Sequence, residues 1–141
     1  MKRRDFLIAG TAGVAAVTVG CAPSVPLLLS KSRGFPLRVP LTSPELTRVG
    51  GAVRIDPGDG SDAVYLRRVS ETGFSALSME CMHLGCSVRV QGGKFRCPCH
   101  GSAYDLDGNV LNGPAKESLV RLRVVVEGDE VVVGREAKSE G

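Results

Sequence analysis

The sequence of 141 residues is poor in aromatics, which make up 4% and include no tryptophan, although 43% of it is hydrophobic. A core must therefore rest on Val, Leu, Ala and Ile. A domain this small buries a modest fraction of its surface and gains from a metal centre or a disulfide. Charge of one sign is also scarce. The net charge is +3, and setting aside Lys2, Arg3 and Arg4 together with Asp5 leaves +1 for residues 22–141. So neutral a domain carries no footprint for nucleic acid. No Ser/His/Asp triad, phosphate-binding glycine loop, internal repeat or low-complexity tract is visible, and from Thr47 onward no stretch shows an amphipathic helical period. Histidine is rarest of all, with two residues in the whole chain.

Both histidines and four of the five cysteines fall in two boxes, Cys81-Met82-His83-Leu84-Gly85-Cys86 and Cys97-Pro98-Cys99-His100-Gly101-Ser102, with ten residues between them. Each box offers one thiol and one imidazole at short range, Cys81-x-His83 and Cys97-x-x-His100, and each carries a further cysteine, Cys86 or Cys99. Two thiolates and two imidazoles delivered from two loops make a complete ligand set for a binuclear iron–sulfur centre in which histidine replaces cysteine on one iron. A structural zinc site of the same four residues is the alternative. Zinc favours Cys-x(2–4)-Cys and His-x(3–5)-His spacings, and it would leave the second cysteine of each box unexplained.

These residues resemble the boxes of the Rieske iron–sulfur proteins, C-x-H-x-G-C and C-x-C-H-G-S, at every fixed position, and the resemblance extends over about residues 39 to 141. It implies one Rieske-type [2Fe-2S] cluster, with Cys81 and Cys97 on one iron and His83 and His100 on the other. Cys86 and Cys99 are then free to bridge the loops as a disulfide, which needs an oxidising compartment. Neutral imidazoles in place of thiolates make such a centre easier to reduce, at roughly −150 to +300 mV against about −400 mV for plant-type clusters. An imidazole bound through one nitrogen keeps a proton on the other, so electron and proton uptake are coupled. That is the chemistry a quinol requires.

The resemblance reaches residues around the boxes. Ser102 and Tyr104 match the Gly-Ser-x-Tyr extension of high-potential members, where both hydroxyls donate to cluster sulfurs and raise the potential. Gly113-Pro114-Ala115 resembles the proline loop over the cluster in bc-type proteins, with Lys116 in place of a final proline. Leu84 matches the apolar residue that faces the quinone pocket, and His100 the exposed ligand that contacts the quinol.

The N-terminus supplies the compartment. Residues 1–5 are basic and Phe6 to Val19 is an apolar run, the pattern of an export signal. Arg3-Arg4-Asp5-Phe6-Leu7 resembles the twin-arginine signal, the route for proteins exported with their cofactor in place. Val17-Thr18-Val19-Gly20-Cys21 looks like a lipoprotein cleavage box, which makes Cys21 a lipidation candidate. Retention of the segment as a membrane anchor is the favoured expectation, although Pro23, Ser24 and Pro26 interrupt its apolar run. The expected organisation is a signal or anchor over 1–29, a hinge-like linker over 30–40 and a Rieske domain over 41–141. The domain should lie on the periplasmic side of a bacterial membrane.

Within that domain short β-rich runs alternate with turn signals. Strands are predicted at Ala52–Ile55, Val64–Val69, Ser75–Met79, Ser87–Gln91, Lys94–Arg96, Ala103–Leu106, Leu119–Val126 and Glu130–Gly134. Such spacing predicts an all-β antiparallel sandwich with a small cluster-binding lobe over about residues 80–115. The leading functional expectation is an electron-transfer subunit working between quinol at a cytochrome b-like partner and a c-type cytochrome. A Rieske subunit of another exported oxidoreductase, of the arsenite-oxidase type, is the second, and a free-standing tethered carrier the third. A ring-hydroxylating oxygenase is excluded, because its mononuclear iron needs two further histidines. The protein is expected to be catalytic only within a complex.

Overall fold

The computed structural model describes residues 25–30 and 33–137. Eleven strands run in chain order: β1 (Leu27–Leu29), β2 (Leu37–Pro40), β3 (Ala52–Asp56), β4 (Val64–Arg68), β5 (Phe74–Ser78), β6 (Arg89–Gln91), β7 (Lys94–Arg96), β8 (Ala103–Tyr104), β9 (Val110–Asn112), β10 (Arg121–Glu127) and β11 (Glu130–Ala137). A 3₁₀ turn, Pro44–Leu46, follows β2. Seven strands form one sheet in the order β1-β3-β4-β5-β10-β11-β2, and four form a second in the order β6-β7-β8-β9. The all-β expectation holds. One pairing departs from it, because β1 runs parallel to β3.

The large sheet wraps around its own inner face. Alternation puts Val53 and Ile55 of β3, Val64 and Leu66 of β4, and Val131 and Val133 of β11 into one buried cluster. Leu37 and Val39 of β2 join it from the far edge, and Leu46 closes it. Contacts between strands so far apart in the sheet order require the sheet to curl.

The central strands are covered on both sides, which explains the consecutive buried residues 64–66 of β4 and 76–77 of β5. Tyr65 of β4 and Leu77 of β5 point away from the first cluster into a second, which also holds Met79, Val88, Phe95, Tyr104, Leu119, Cys81 and Cys97. Tyr65 meets Phe95 edge to face, with centroids 4.9 Å apart and planes at 89°. That contact ties the lobe to the sheet. Phe95 is fully buried, and truncating it to alanine would cost about 3–5 kcal/mol.

A turn completes the junction. Asp105 accepts the N–H groups of Asp107 and Asn109, both at 2.9 Å, and Gly108 sits in the left-handed region at φ +88°. Arg67 of β4 reaches Asp107 at 2.8 Å, and Leu119 N–H donates to Gly108 O at 2.9 Å. The lobe is therefore fixed to the sheet from two directions.

Two strands come from segments that the sequence assigns to anchor and linker. Leu27–Leu29 pairs with Arg54, Ile55 and Asp56. Leu37–Pro40 pairs with Glu130–Val133, with Leu37 and Val39 buried and Arg38 exposed. A two-residue alternation in a short run between prolines is enough for an edge strand, because β11 supplies the partner. The last four residues of the 30–40 segment belong to the sheet. The twin-arginine segment and Cys21 lie outside the described residues. Among the described residues no helix is long and apolar enough to cross a membrane.

Candidate metal centre

The two boxes fold into two loops with the same backbone plan. In the first, Cys81 N–H donates to Cys86 O at 2.7 Å and Gly85 N–H to Cys81 O at 3.0 Å. In the second, Cys97 N–H donates to Ser102 O at 2.8 Å and Gly101 N–H to Cys97 O at 3.1 Å. The fifth position of each loop has a left-handed backbone, φ +74° at Gly85 and +79° at Gly101, which a side chain would strain. Each loop so presents its first cysteine inward and a histidine nearer the tip.

Cys81 and Cys97 are buried, at 2% and 3% exposure, and both are free thiols. His83 and His100 bring their rings to 4.9 Å between centroids at an interplanar angle of 87°. The buried Nδ1 of His83 has no hydrogen-bond partner. A buried ring nitrogen without a partner is costly unless something binds it, and a metal centre is what a buried thiol–imidazole set suits. The donor set fits the cluster.

Cys86 and Cys99 form a disulfide across the two loops, with Cα atoms 6.6 Å apart. The Cys97 sulfur lies within 4.8 Å of both bridged sulfurs. Those three do not make a metal site, since a disulfide has no thiolate to offer. The bridge instead holds the loop tips together over the thiols.

Hydroxyls surround the thiols. Tyr104 Oη lies 3.4 Å from Cys81 Sγ and accepts Met82 N–H at 3.2 Å. Burial pushes the Cys81 thiol up, but Tyr104, the His83 amide, Cys97 and Ser102 outweigh it and hold the thiol below its ordinary value. Burial and the bond to Cys81 push Tyr104 up to about 12, so its hydroxyl keeps its proton near neutrality. Ser102, fully buried, accepts Ala115 N–H at 3.0 Å. Its own proton is then free for the sulfur side.

The remaining expected residues lie at the rim. Leu84 is 66% exposed at the tip of the first loop. Gly113 and Pro114 are exposed, and Met82, His83, Pro114, Ala115, Lys116 and Glu117 line an open concavity. Three supports carry no sequence signal of the boxes. They are the Ala115 amide, the Met82 amide, and Asp62, which takes a hydrogen bond from Ser87 directly after the first box. The Asp-x-Asp-Gly-Asn run could have flagged the Asp105 turn; backbone amides could not have been found this way.

Buried thiols, paired imidazoles and a bridging disulfide on two matched loops fit a binuclear iron–sulfur centre with mixed ligands. Residues 46–127, more than half of the chain, match the Rieske [2Fe-2S] domain family. The chain belongs to that family and holds one Rieske-type cluster. Residues 1–27 match the family described as the Ubiquitinol-cytochrome C reductase Fe-S subunit TAT signal. The "Cytochrome b6-f complex iron-sulfur subunit" of Prochlorococcus marinus (strain MIT 9301) is 41% identical over 99 residues, 62% of this chain and 56% of that one. The protein of the same name from Synechococcus sp. (strain RCC307) is 44% identical over 79 residues, 55% of this chain and 40% of its own. The chain thus spans about half the length of the curated relatives it matches. Among solved structures, a chain of "Hyperthermophilic respiratory Complex III" is 24% identical with a TM-score of 0.51, covering 67% of this chain and 71% of that one. The apo form of "a quaternary ammonium Rieske monooxygenase" is 14% identical with a TM-score of 0.54, covering 78% and 35%. At such identities the two structures show the fold alone.

Proposed function

We propose that this chain is the high-potential iron–sulfur subunit of a membrane bc-type complex. It would take an electron, coupled to a proton, from quinol at a cytochrome b-like partner and pass it to a c-type cytochrome. The observation that carries the reading is the Tyr104 hydroxyl on Cys81 Sγ beside a fully buried Ser102, the arrangement that favours the reduced state. The curated relatives named as cytochrome b6-f subunits, and the match of residues 1–27, point the same way.

Cys81 and Cys97 would hold one iron, and His83 and His100 the other. The cluster supplies a one-electron acceptor whose imidazole ligands also exchange a proton. His100 is the more exposed of the two histidines and would receive the quinol hydroxyl. Leu84, Gly113 and Pro114 would form the apolar rim that docks against the cytochrome b-like partner. The N-terminal segment would tether the domain to a bacterial membrane with the cluster outside the cytoplasm.

The test is purification from detergent-solubilised native membranes through a C-terminal tag. Haem b and haem c should co-elute, and a quinol should reduce the cluster in that complex. Co-elution of a molybdenum subunit would replace this reading with the arsenite-oxidase type. A chain that elutes alone would be a free-standing carrier.

A further inference from the structure

One hairpin of the cluster lobe, β6–β7, carries basic side chains and no acidic one. Residues 81–104 contain Arg89, Lys94 and Arg96 and not a single Asp or Glu. The β6–β7 pairing sets Arg89 directly opposite Arg96, and Gln91 opposite Lys94. Val90 and Phe95, the pair between them, face the lobe core. The two arginines therefore project from the other face, and both are exposed. Like charges directly opposite one another oppose sheet formation. Elsewhere Arg38, Arg67 and Arg135 each reach a carboxylate. Among the described residues, Arg89, Lys94 and Arg96 make no ion pair.

The β10–β11 turn is acidic, with Arg38 paired to two of its three carboxylates. β10 leaves the junction at Arg121, paired with Leu77, and runs seven residues to the Glu127, Asp129 and Glu130 turn. At strand rise that turn lies about 20 Å along the sheet. The exposed Arg89–Arg96 pair therefore makes a local positive field beside the Cys97 loop. Such a field orients an approaching partner before contact.

We propose that the Arg89–Arg96 face is a docking surface for an acidic protein surface on the partner that exchanges electrons with the cluster. This rests on the electron-transfer reading above. Arg96 adjoins Cys97 in the chain, so a partner held by this face stands beside a ligand loop. An anionic membrane would meet the same charges, but a lipid surface accepts no electron.

The probe is fluorescein-labelled poly-L-glutamate, followed by anisotropy with the cluster-loaded full chain; vesicles containing phosphatidylglycerol serve as the lipid counterpart. Binding at about 10 mM salt should weaken at least about tenfold at 150 mM, where the Debye length has shrunk from about 30 to 8 Å. Arg89→Gln with Arg96→Gln should weaken low-salt binding about tenfold, while Arg54→Gln with Arg123→Gln, the same change in net charge, should leave it within about twofold. Equal weakening by both pairs, no binding to poly-L-glutamate, or binding only to the vesicles would overturn the proposal. Because this assay needs no redox partner, it separates the two claims. Loss of poly-L-glutamate binding with haem partners still co-eluting removes the docking face alone. Retained binding with no haem partner removes the electron-transfer reading alone.

Discussion

Tyr104 Oη touches Cys81 Sγ at 3.4 Å while accepting the Met82 amide at 3.2 Å. With its accepting side taken by an N–H, the hydroxyl has one direction left for its proton, toward sulfur. The chain places a donor on the Cys81 sulfur and fixes that donor's orientation with its own backbone.

Tyr104→Phe should therefore lower the reduction potential without abolishing the cluster, since Tyr104 is no ligand. A hydrogen bond of net worth about 0.5–1.5 kcal/mol corresponds to about 20–65 mV for one electron. Redox titration of parent and variant checks this. An unchanged potential would show that the hydroxyl does not act on the sulfur.

Ser102→Ala should do two things at once. The potential should fall, and the buried Ala115 amide should lose its acceptor. An orphaned buried N–H costs about 1–3 kcal/mol, visible as a lower denaturation midpoint. A variant with lowered potential and parental stability would contradict the role given to Ala115.

Replacing both Cys86 and Cys99 by alanine should leave a cluster that forms but bleaches faster, at a lower potential. The bridge closes a 13-residue separation between the loops, and its loss should also cost roughly 2–4 kcal/mol of stability. Cluster absorbance followed over time after dilution in air measures the effect. Parental lifetime and potential would show that the loops hold themselves together.

Gly108→Ala tests how the lobe is seated. A Cβ there would meet Leu77 Cδ2 at 3.2 Å and Leu119 Cβ at 3.3 Å, on a backbone at φ +88°. A left-handed backbone alone costs a non-glycine residue about 1–2 kcal/mol, and the contacts add to it. Denaturant unfolding should show a loss of at least that size. Neutral behaviour would mean that the turn adjusts freely.

The sequence displayed some of this readily and hid the rest for physical reasons. The β10–β11 hairpin was legible because valines recur along both arms and Glu127-Gly128-Asp129 marks the turn; the observed strands are Arg121–Glu127 and Glu130–Ala137. β9 was missed because Leu111 and Asn112 are both exposed, and its pairing with β8 passes through a register shift that leaves no alternation. β1 was hidden within an apolar run, and nothing local announces a parallel partner. At the site, thiols, imidazoles and hydroxyls are legible because the chemistry demands those residue types. The amides of Ala115 and Met82 are not, since an N–H is the same on almost any residue.

The central claim is a [2Fe-2S] cluster bound by two thiolates and two imidazoles, and pulsed electron paramagnetic resonance of the reduced, purified protein tests it most directly. The account predicts couplings from two distinct imidazole nitrogens, with iron equal to acid-labile sulfide. It also predicts that His83→Ala and His100→Ala each fail to assemble this centre. Zinc without labile sulfide, or a reduced cluster with no nitrogen coupling, would contradict it.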